Sequence, residues 1–186
     1  MRKRLAGILI SGMSLALLPA GSASAEEFTC RGSVGARTLD NVRVPQDATC
    51  VLEGTRVEGT ITVQNGATLR ARNVRVIGNV QGENASLVVV AAGSRIGGSV
   101  QVVQGGAARV TGSRVNGDIQ FDEQNRALKV LSNDVGGSVQ VMQNTGGVEI
   151  TRNTIDGNLQ CKENRPAPTG GGNVVGGNKE DQCARL

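Results

Sequence analysis

Aliphatic residues alternate with polar ones over short stretches of this chain, and the same stretches return at a fixed interval. The recurring phrase is an aliphatic residue, a spacer, a glycine, a small polar residue, an aliphatic residue, usually Gln, and another aliphatic. It reads SRIGGSVQV at Ser94–Val102, RVNGDIQF at Arg114–Phe121, DVGGSVQV at Asp134–Val141 and TIDGNLQC at Thr154–Cys161. Weaker copies stand at Arg56–Val63 and Arg75–Gly82, and a degenerate one at Val174–Asp181. The anchoring glycines, Gly59, Gly78, Gly98, Gly117, Gly137, Gly157 and Gly177, are 19 or 20 residues apart. A constant period of that length marks a solenoid.

Counting from each anchor sorts the apolar residues into columns. Two residues before it come Val57, Val76, Ile96, Val115, Val135, Ile155 and Val175. Two after it come Ile61, Val80, Val100, Ile119, Val139 and Leu159. Four after it come Val63, Gly82, Val102, Phe121, Val141 and Cys161. Nine before the next anchor come Cys50, Leu69, Val89, Ala108, Leu128 and Val148, and seven before it Leu52, Ala71, Ala91, Val110, Val130 and Ile150. Spacing by two is the strand period, and no stretch sustains helical spacing. The pattern predicts an all-β fold: a single-stranded, right-handed parallel β-helix of about seven coils of 19–20 residues, the hand following the rule for parallel crossovers. At the strand spacing it should be roughly 30–35 Å long. The anchor glycines are expected to supply backbone freedom at a corner. Asn133, Asn153 and Asn173, four before their anchors, are expected to take the left-handed conformation at a bend and to hydrogen-bond between coils.

These columns, the Asn stack and the coil length resemble the right-handed β-helix of pectate-lyase-like proteins. The glycine phrase is similar to the repeats of bactofilins, which are polymer-forming bacterial scaffolds. The resemblance runs from about Val42 to Asn178. The tail Asn158–Cys183 also resembles small secreted actinobacterial proteins without assigned activity. These likenesses imply an architecture more than an activity.

The first 25 residues read differently. Arg2, Lys3 and Arg4 precede an apolar run from Leu5 to Leu18, and Ala23-Ser24-Ala25 follows, which is the pattern of a cleaved secretory signal peptide. The run is short for a spanning helix and is broken by Gly7, Ser11, Gly12 and Ser14, so no membrane insertion is expected after cleavage. Residues 26–55 then read as an N-terminal cap with the first coils, 56–161 as regular coils and 162–186 as a C-terminal cap. Pro166–Gly172 breaks the pattern and reads as a loop. Cleavage also changes the charge. The whole chain carries 20 basic and 16 acidic residues; without the three basic residues of the leader, 17 face 16. The basic balance is therefore poor evidence for nucleic-acid binding.

Four cysteines behind a signal sequence point to disulfides. Cys30 and Cys50 are one period apart and should lie in adjacent coils at a separation a disulfide spans. Cys161 and Cys183 bracket the last coil. The predicted pairs are Cys30–Cys50 and Cys161–Cys183. Phe28 stands where an N-terminal cap would sit, since a bare end coil exposes strand edges and core.

Two outward columns are candidates for chemistry. Gln81, Gln101, Gln120, Gln140 and Gln160 follow their anchors by three. On a parallel ladder they read first as a solvated face of stacked amides, and second as a flat platform for a polysaccharide or a partner sheet. Arg56, Arg75, Arg95 and Arg114 precede their anchors by three, and the column then changes to Asp134 and Thr154. It reads as a solvated edge, or as a stripe for an anionic polymer such as a uronic-acid polysaccharide or teichoic acid. Histidine is absent, which removes Ser-His and Cys-His catalysis and the commonest metal ligand. A polysaccharide lyase could still use Asp118, Asp122, Glu123 or Asp134 with Arg114, but these fall in different columns, and the coils carry no long loops. No cofactor, metal or catalytic residue is assigned. The sequence favours a secreted, non-catalytic scaffold or binding module of the cell envelope or extracellular space, with a polysaccharide-lyase-like enzyme as the alternative.

Overall fold

The computed structural model describes residues 26–186. The leader and its cleavage site lie outside them. No helix occurs among the described residues; 25 short strands form three parallel sheets. Sheet A has nine strands, starting at Glu27–Thr29 and ending at Lys179–Asp181. Sheet B has eight, from Gly32–Val34 to Thr169–Gly171, and sheet C has eight, from Thr38–Leu39 to Val174–Val175. Each coil passes through A, B and C in turn, giving a parallel β-solenoid of about eight turns rather than seven. The difference lies at the ends. The first coils lie before Arg56, as expected but outside the anchor count, and Pro166–Gly172, expected as a loop, contributes Thr169–Gly171, which pairs with Glu149–Thr151.

Residues one period apart are vertical neighbours. Val100 pairs with Ile119 and Ile119 with Val139, and all three are fully buried. The five inward columns make one continuous core, in which Phe121 is the only aromatic. One coil departs from the expected columns. Val88 and Val90 point inward instead of Val89 and Ala91, in register with Leu69 and Ala71. The extra residue of this 20-residue coil sits at the B–C corner, where Ala92 and Gly93 both have positive φ. Counting back through that corner from Gly98 therefore slips by one, and a slip of one turns every side chain over.

The corners explain the recurring phrase. None of the seven anchor glycines has a positive φ, so backbone freedom is not why glycine is there. The small polar residue after each anchor accepts a hydrogen bond from the backbone N–H of its counterpart one coil on. Thr60 Oγ1 takes Asn79 N–H at 3.2 Å, Asn79 Oδ1 takes Ser99 at 2.8 Å, Ser99 Oγ takes Asp118 at 3.0 Å and Asp118 Oδ1 takes Ser138 at 2.7 Å. Those side chains lie where the next anchor's Cβ would be. A Cβ at Gly78 would stand 2.6 Å from Thr60 Oγ1 and 2.7 Å from the carbonyl oxygen of Gly59. Glycine is required by close approach.

The left-handed position at the B–C corner is one residue before the expected asparagines, at Ser132, Arg152 and Gly172, with φ of 55°, 56° and 68°. Asn133, Asn153 and Asn173 are instead buried and form the inter-coil ladder. Asn133 Nδ2 donates to Asn153 Oδ1 at 3.0 Å, and Asn153 Nδ2 to Asn173 Oδ1 at 2.9 Å. Backbone polar groups buried at a corner need partners because no neighbouring strand supplies them, and these amides provide them.

The ends are closed differently. Cys30 and Cys50 lie at disulfide distance, with Cα atoms 5.5 Å apart, joining the first two coils. Gly32, not Cys30, is the register partner of Cys50, because the first coil is shorter than the rest. Phe28 packs partly buried against the core with the Arg37 guanidinium 5.1 Å above its ring. At the other end Cys161 and Cys183 are both fully buried, at a Cα separation of 5.2 Å. There the register places Lys179 over Leu159 and Asp181 over Cys161. Charges thus take over inward columns on the last strand of sheet A.

Candidate functional site

Sheet C offers one outward residue per coil, because each of its strands is two residues long and the second points inward. Arg56 pairs with Arg75, Arg75 with Arg95, Arg95 with Arg114, and Arg114 with Asp134. The four arginines predicted as a column therefore stand in one line along the solenoid axis, about 4.8 Å apart at the backbone. Three of them, Arg75, Arg95 and Arg114, line a shallow open groove of about 1070 Å³, together with Asn116, Asp134, Arg152 and Thr154. Arg56 lies outside it.

The groove is set by its corners. On the Arg95 rung both flanking corner residues, Gly93 and Gly97, lack side chains. On the Arg114 rung the flanks are Gly112 and Asn116, and on the Arg75 rung one flank is the exposed Ile77. Missing side chains on both walls leave the groove widest at the Arg95 rung.

Charge pairing separates the members of the line. Arg114 Nη1 is 3.4 Å from Asp134 Oδ2, and Arg56 Nε is 3.3 Å from Glu58 Oε1. Arg75, Arg95 and Arg152 have no carboxylate within ion-pair distance among the described residues. The Arg114–Asp134 pair is 65% and 51% exposed, and a pair that wet holds its partners only weakly. Asp134 is the only acid among the groove residues, against four arginines. Arg152 was missed by column counting. It belongs to the left-handed corner position, one coil beyond Asp134, where its exposed side chain reaches the groove from the side.

The glutamine column has a different character. Gln81 Nε2 donates to Gln101 Oε1 at 3.2 Å, Gln101 to Gln120 at 2.8 Å, Gln120 to Gln140 at 3.2 Å and Gln140 to Gln160 at 3.1 Å. Gln160 ends the ladder on Glu180 Oε2 at 2.7 Å. Each inner amide thus has partners above and below, and none of these five residues lines the groove.

A second buried amide ladder runs along the A–B corner, behind the left-handed residues Glu123, Gln143 and Glu163. Gln124 N–H donates to Asn144 Oδ1 at 2.8 Å, Asn144 Nδ2 to Asn164 Oδ1 at 2.8 Å, and Asn164 Nδ2 to Gln182 Oε1 at 3.1 Å. The recurrence of Gln124, Asn144, Asn164 and Gln182 at near-period spacing was the signal that could have revealed it.

The carboxylates weighed for catalysis do not come together. Asp118 holds the Ser138 N–H at the C–A corner, Asp122 lies on sheet A, Glu123 accepts from Gln104 Nε2 at the A–B corner, and Asp134 is on sheet C. Among the described residues no three His, Cys, Asp or Glu side chains gather closely enough to hold a metal ion. Asp122 has its carboxyl raised above the usual range by burial and then by the neighbouring charge of Glu123, and its Oδ1 has no hydrogen-bond partner. It faces no basic residue of the groove.

The architecture defines the class: a parallel β-solenoid with three sheets per coil. The chain matches no family model, no curated protein and no solved structure.

Proposed function

We propose that this is a secreted, non-catalytic β-solenoid module that binds an anionic polysaccharide of the cell envelope or extracellular space through the arginine face of sheet C. The observation that carries the reading is the in-register line Arg75, Arg95 and Arg114 in a groove that holds four arginines and one acid. Like charges stacked one strand apart repel by about 1 kcal/mol per contact in water, and an anionic polymer relieves that repulsion.

Secretion is supported by the leader pattern of residues 1–25 and by cysteines at disulfide distance at both ends. The likeness to pectate-lyase-like proteins bears on architecture, whereas their catalytic logic needs convergent groups, and the carboxylates here are dispersed. The bactofilin-like phrase would suggest end-to-end polymers, but Lys179 and Asp181 at inward positions of the terminal strand disfavour stacking a second core there.

The test uses mature protein and immobilised polygalacturonate, alginate and teichoic acid. Retention is expected on at least one, weakening as salt rises. Changing Arg75, Arg95 and Arg114 together to Glu should abolish it. Retention unaffected by that triple change overturns the reading, and unsaturated product in the ultraviolet overturns its non-catalytic part.

A further inference from the structure

We infer that sheet B carries a docking surface for an acidic amphipathic helix of a partner protein. The surface is the strand Leu87–Ala91 with the arginines on either side of it. It lies on a different sheet from the arginine groove and does not depend on the polysaccharide reading.

The surface exists because the frame slips at one corner. With Val88 and Val90 turned inward, the strand presents Leu87, Val89 and Ala91 outward, all three half-buried. No other strand of sheet B has an outward row that is wholly apolar. Single apolar residues on a surface need no partner, but a contiguous row bounded by charge marks an interaction site.

The charges say what kind of partner fits. Arg70 is the register partner of Val89 on one side and Arg109 on the other, and Arg72 stands beside Ala91. All three arginines are exposed, and none has a carboxylate within ion-pair distance among the described residues. Glu53, the register partner of Arg72, does not reach it. Farther along the sheet the charges already pair, Lys129 with Glu149 at 2.8 Å. The apolar row is thus framed by cations on both flanks, and it suits an apolar stripe framed by carboxylates.

The spacing suits a helix laid along the strand. Alternate strand residues are about 6.6 Å apart, and helix residues i and i+4 about 6.0 Å. Apolar positions i, i+4 and i+8 therefore sit over Leu87, Val89 and Ala91. Arg70 and Arg109 are two rungs apart, about 9.6 Å, close to the width of a helix at about 10 Å. Acids on both flanks of the stripe meet them. Helices cover sheet faces in this way, and apolar anchors at helical spacing are a recurring mode of recognition.

The chain itself supplies no such segment. The described residues contain no helix, and residues 1–25 carry three basic residues and no acid. Two copies set face to face through this row would bring arginine against arginine, whichever way their axes run. The occupant is therefore another protein.

The probe is a labelled peptide of about 18 residues, long enough to hold a helix, with Leu at i, i+4 and i+8 and Glu on both flanks of that stripe. Titrated with mature protein and followed by anisotropy and circular dichroism, it should bind, gain helicity and weaken as salt rises. A peptide of the same composition in scrambled order should not bind. Arg70→Glu with Arg109→Glu should weaken binding by about tenfold, exposed ion pairs being replaced by repulsions. Val89→Asp should weaken it as well; should that variant not fold in a thermal melt, the arginine reversal, at exposed positions, decides. Changing Arg75, Arg95 and Arg114 to Glu should leave binding unchanged. Equal binding of the scrambled peptide, binding without gained helicity, indifference to the Arg70 and Arg109 reversal, or loss in the sheet C variant overturns the inference. So does mature protein that does not bind the peptide, whether it binds nothing, captures anionic vesicles or associates with itself through this face. None of these outcomes bears on polysaccharide retention, which is read on sheet C.

Discussion

Removing one buried amide should cost far more than removing one from the surface ladder, although both belong to stacks of nearly identical appearance. Asn153 makes four side-chain hydrogen bonds. Its Nδ2 donates to Val130 O at 2.8 Å and to Asn173 Oδ1 at 2.9 Å; its Oδ1 accepts from the Asn133 backbone N–H at 2.9 Å and from Asn133 Nδ2 at 3.0 Å. In Asn153→Ala the Asn133 N–H is left buried with no acceptor. Asn133 Nδ2 keeps Val110 O, and Asn173 Oδ1 keeps the Asn153 N–H. One orphaned buried donor costs about 1–3 kcal/mol, and each remaining lost bond about 0.5–1.5 kcal/mol net. The expected loss is about 2.5–7.5 kcal/mol. Gln120→Ala breaks two bonds, to Gln101 and Gln140, but its neighbours are half-exposed and water replaces them. Its cost should stay below about 1 kcal/mol. The assay is guanidinium unfolding with disulfides intact, followed by far-ultraviolet circular dichroism at matched m-values. Hydrogen exchange at the Asn133 amide should accelerate in Asn153→Ala and stay slow in Gln120→Ala. Equal losses for the two variants, or a still-protected Asn133 amide, would refute the claim that these corners are held by their buried amides.

Other consequences follow from the same geometry. Gly78→Val should destabilise by about 1–3 kcal/mol, as overpacking does, because its Cβ meets Thr60 Oγ1 and the Gly59 carbonyl; Gly93→Val, with open space around it but a φ of 76°, tests backbone strain instead, and thermal melts compare them. Replacing Cys161 and Cys183 together by Ala should remove about 3 kcal/mol and expose the last coil to exchange while Val100 and Ile119 stay protected. Asp122 has a raised carboxyl, so it favours the fold where it is protonated: its contribution is full below about 3.8 and is lost as pH rises through the folded value. Asp122→Asn should therefore raise the melting temperature at pH 7 and leave it nearly unchanged at pH 3; no difference between the two pH values would contradict the burial of that carboxyl.

How much of this could be read from residues alone varies by element. The inward walls were legible because strand alternation is local: Val100, Ile119 and Val139 are set inward by their own neighbours, and the period stacks them. The arginine and glutamine columns were legible for the same reason, since an outward residue at a fixed offset has no other place to go. Val89 and Ala91 were misplaced because an extra residue at one corner shifts the frame, and nothing in a count says at which corner it enters.

The sequence by itself determined the period, the inward columns and the alignment of Arg56, Arg75, Arg95 and Arg114, because these depend on spacing along the chain. Only the tertiary structure decided that the anchor glycines make room for a neighbouring coil's side chain, that Asn133, Asn153 and Asn173 are buried connectors, and that Arg152 joins a groove whose centre is bare of side chains at Gly93 and Gly97. The physical reason is that corners are held by contacts between coils. A corner's conformation, and the hollow it leaves, depend on atoms one period away in sequence and one strand away in space.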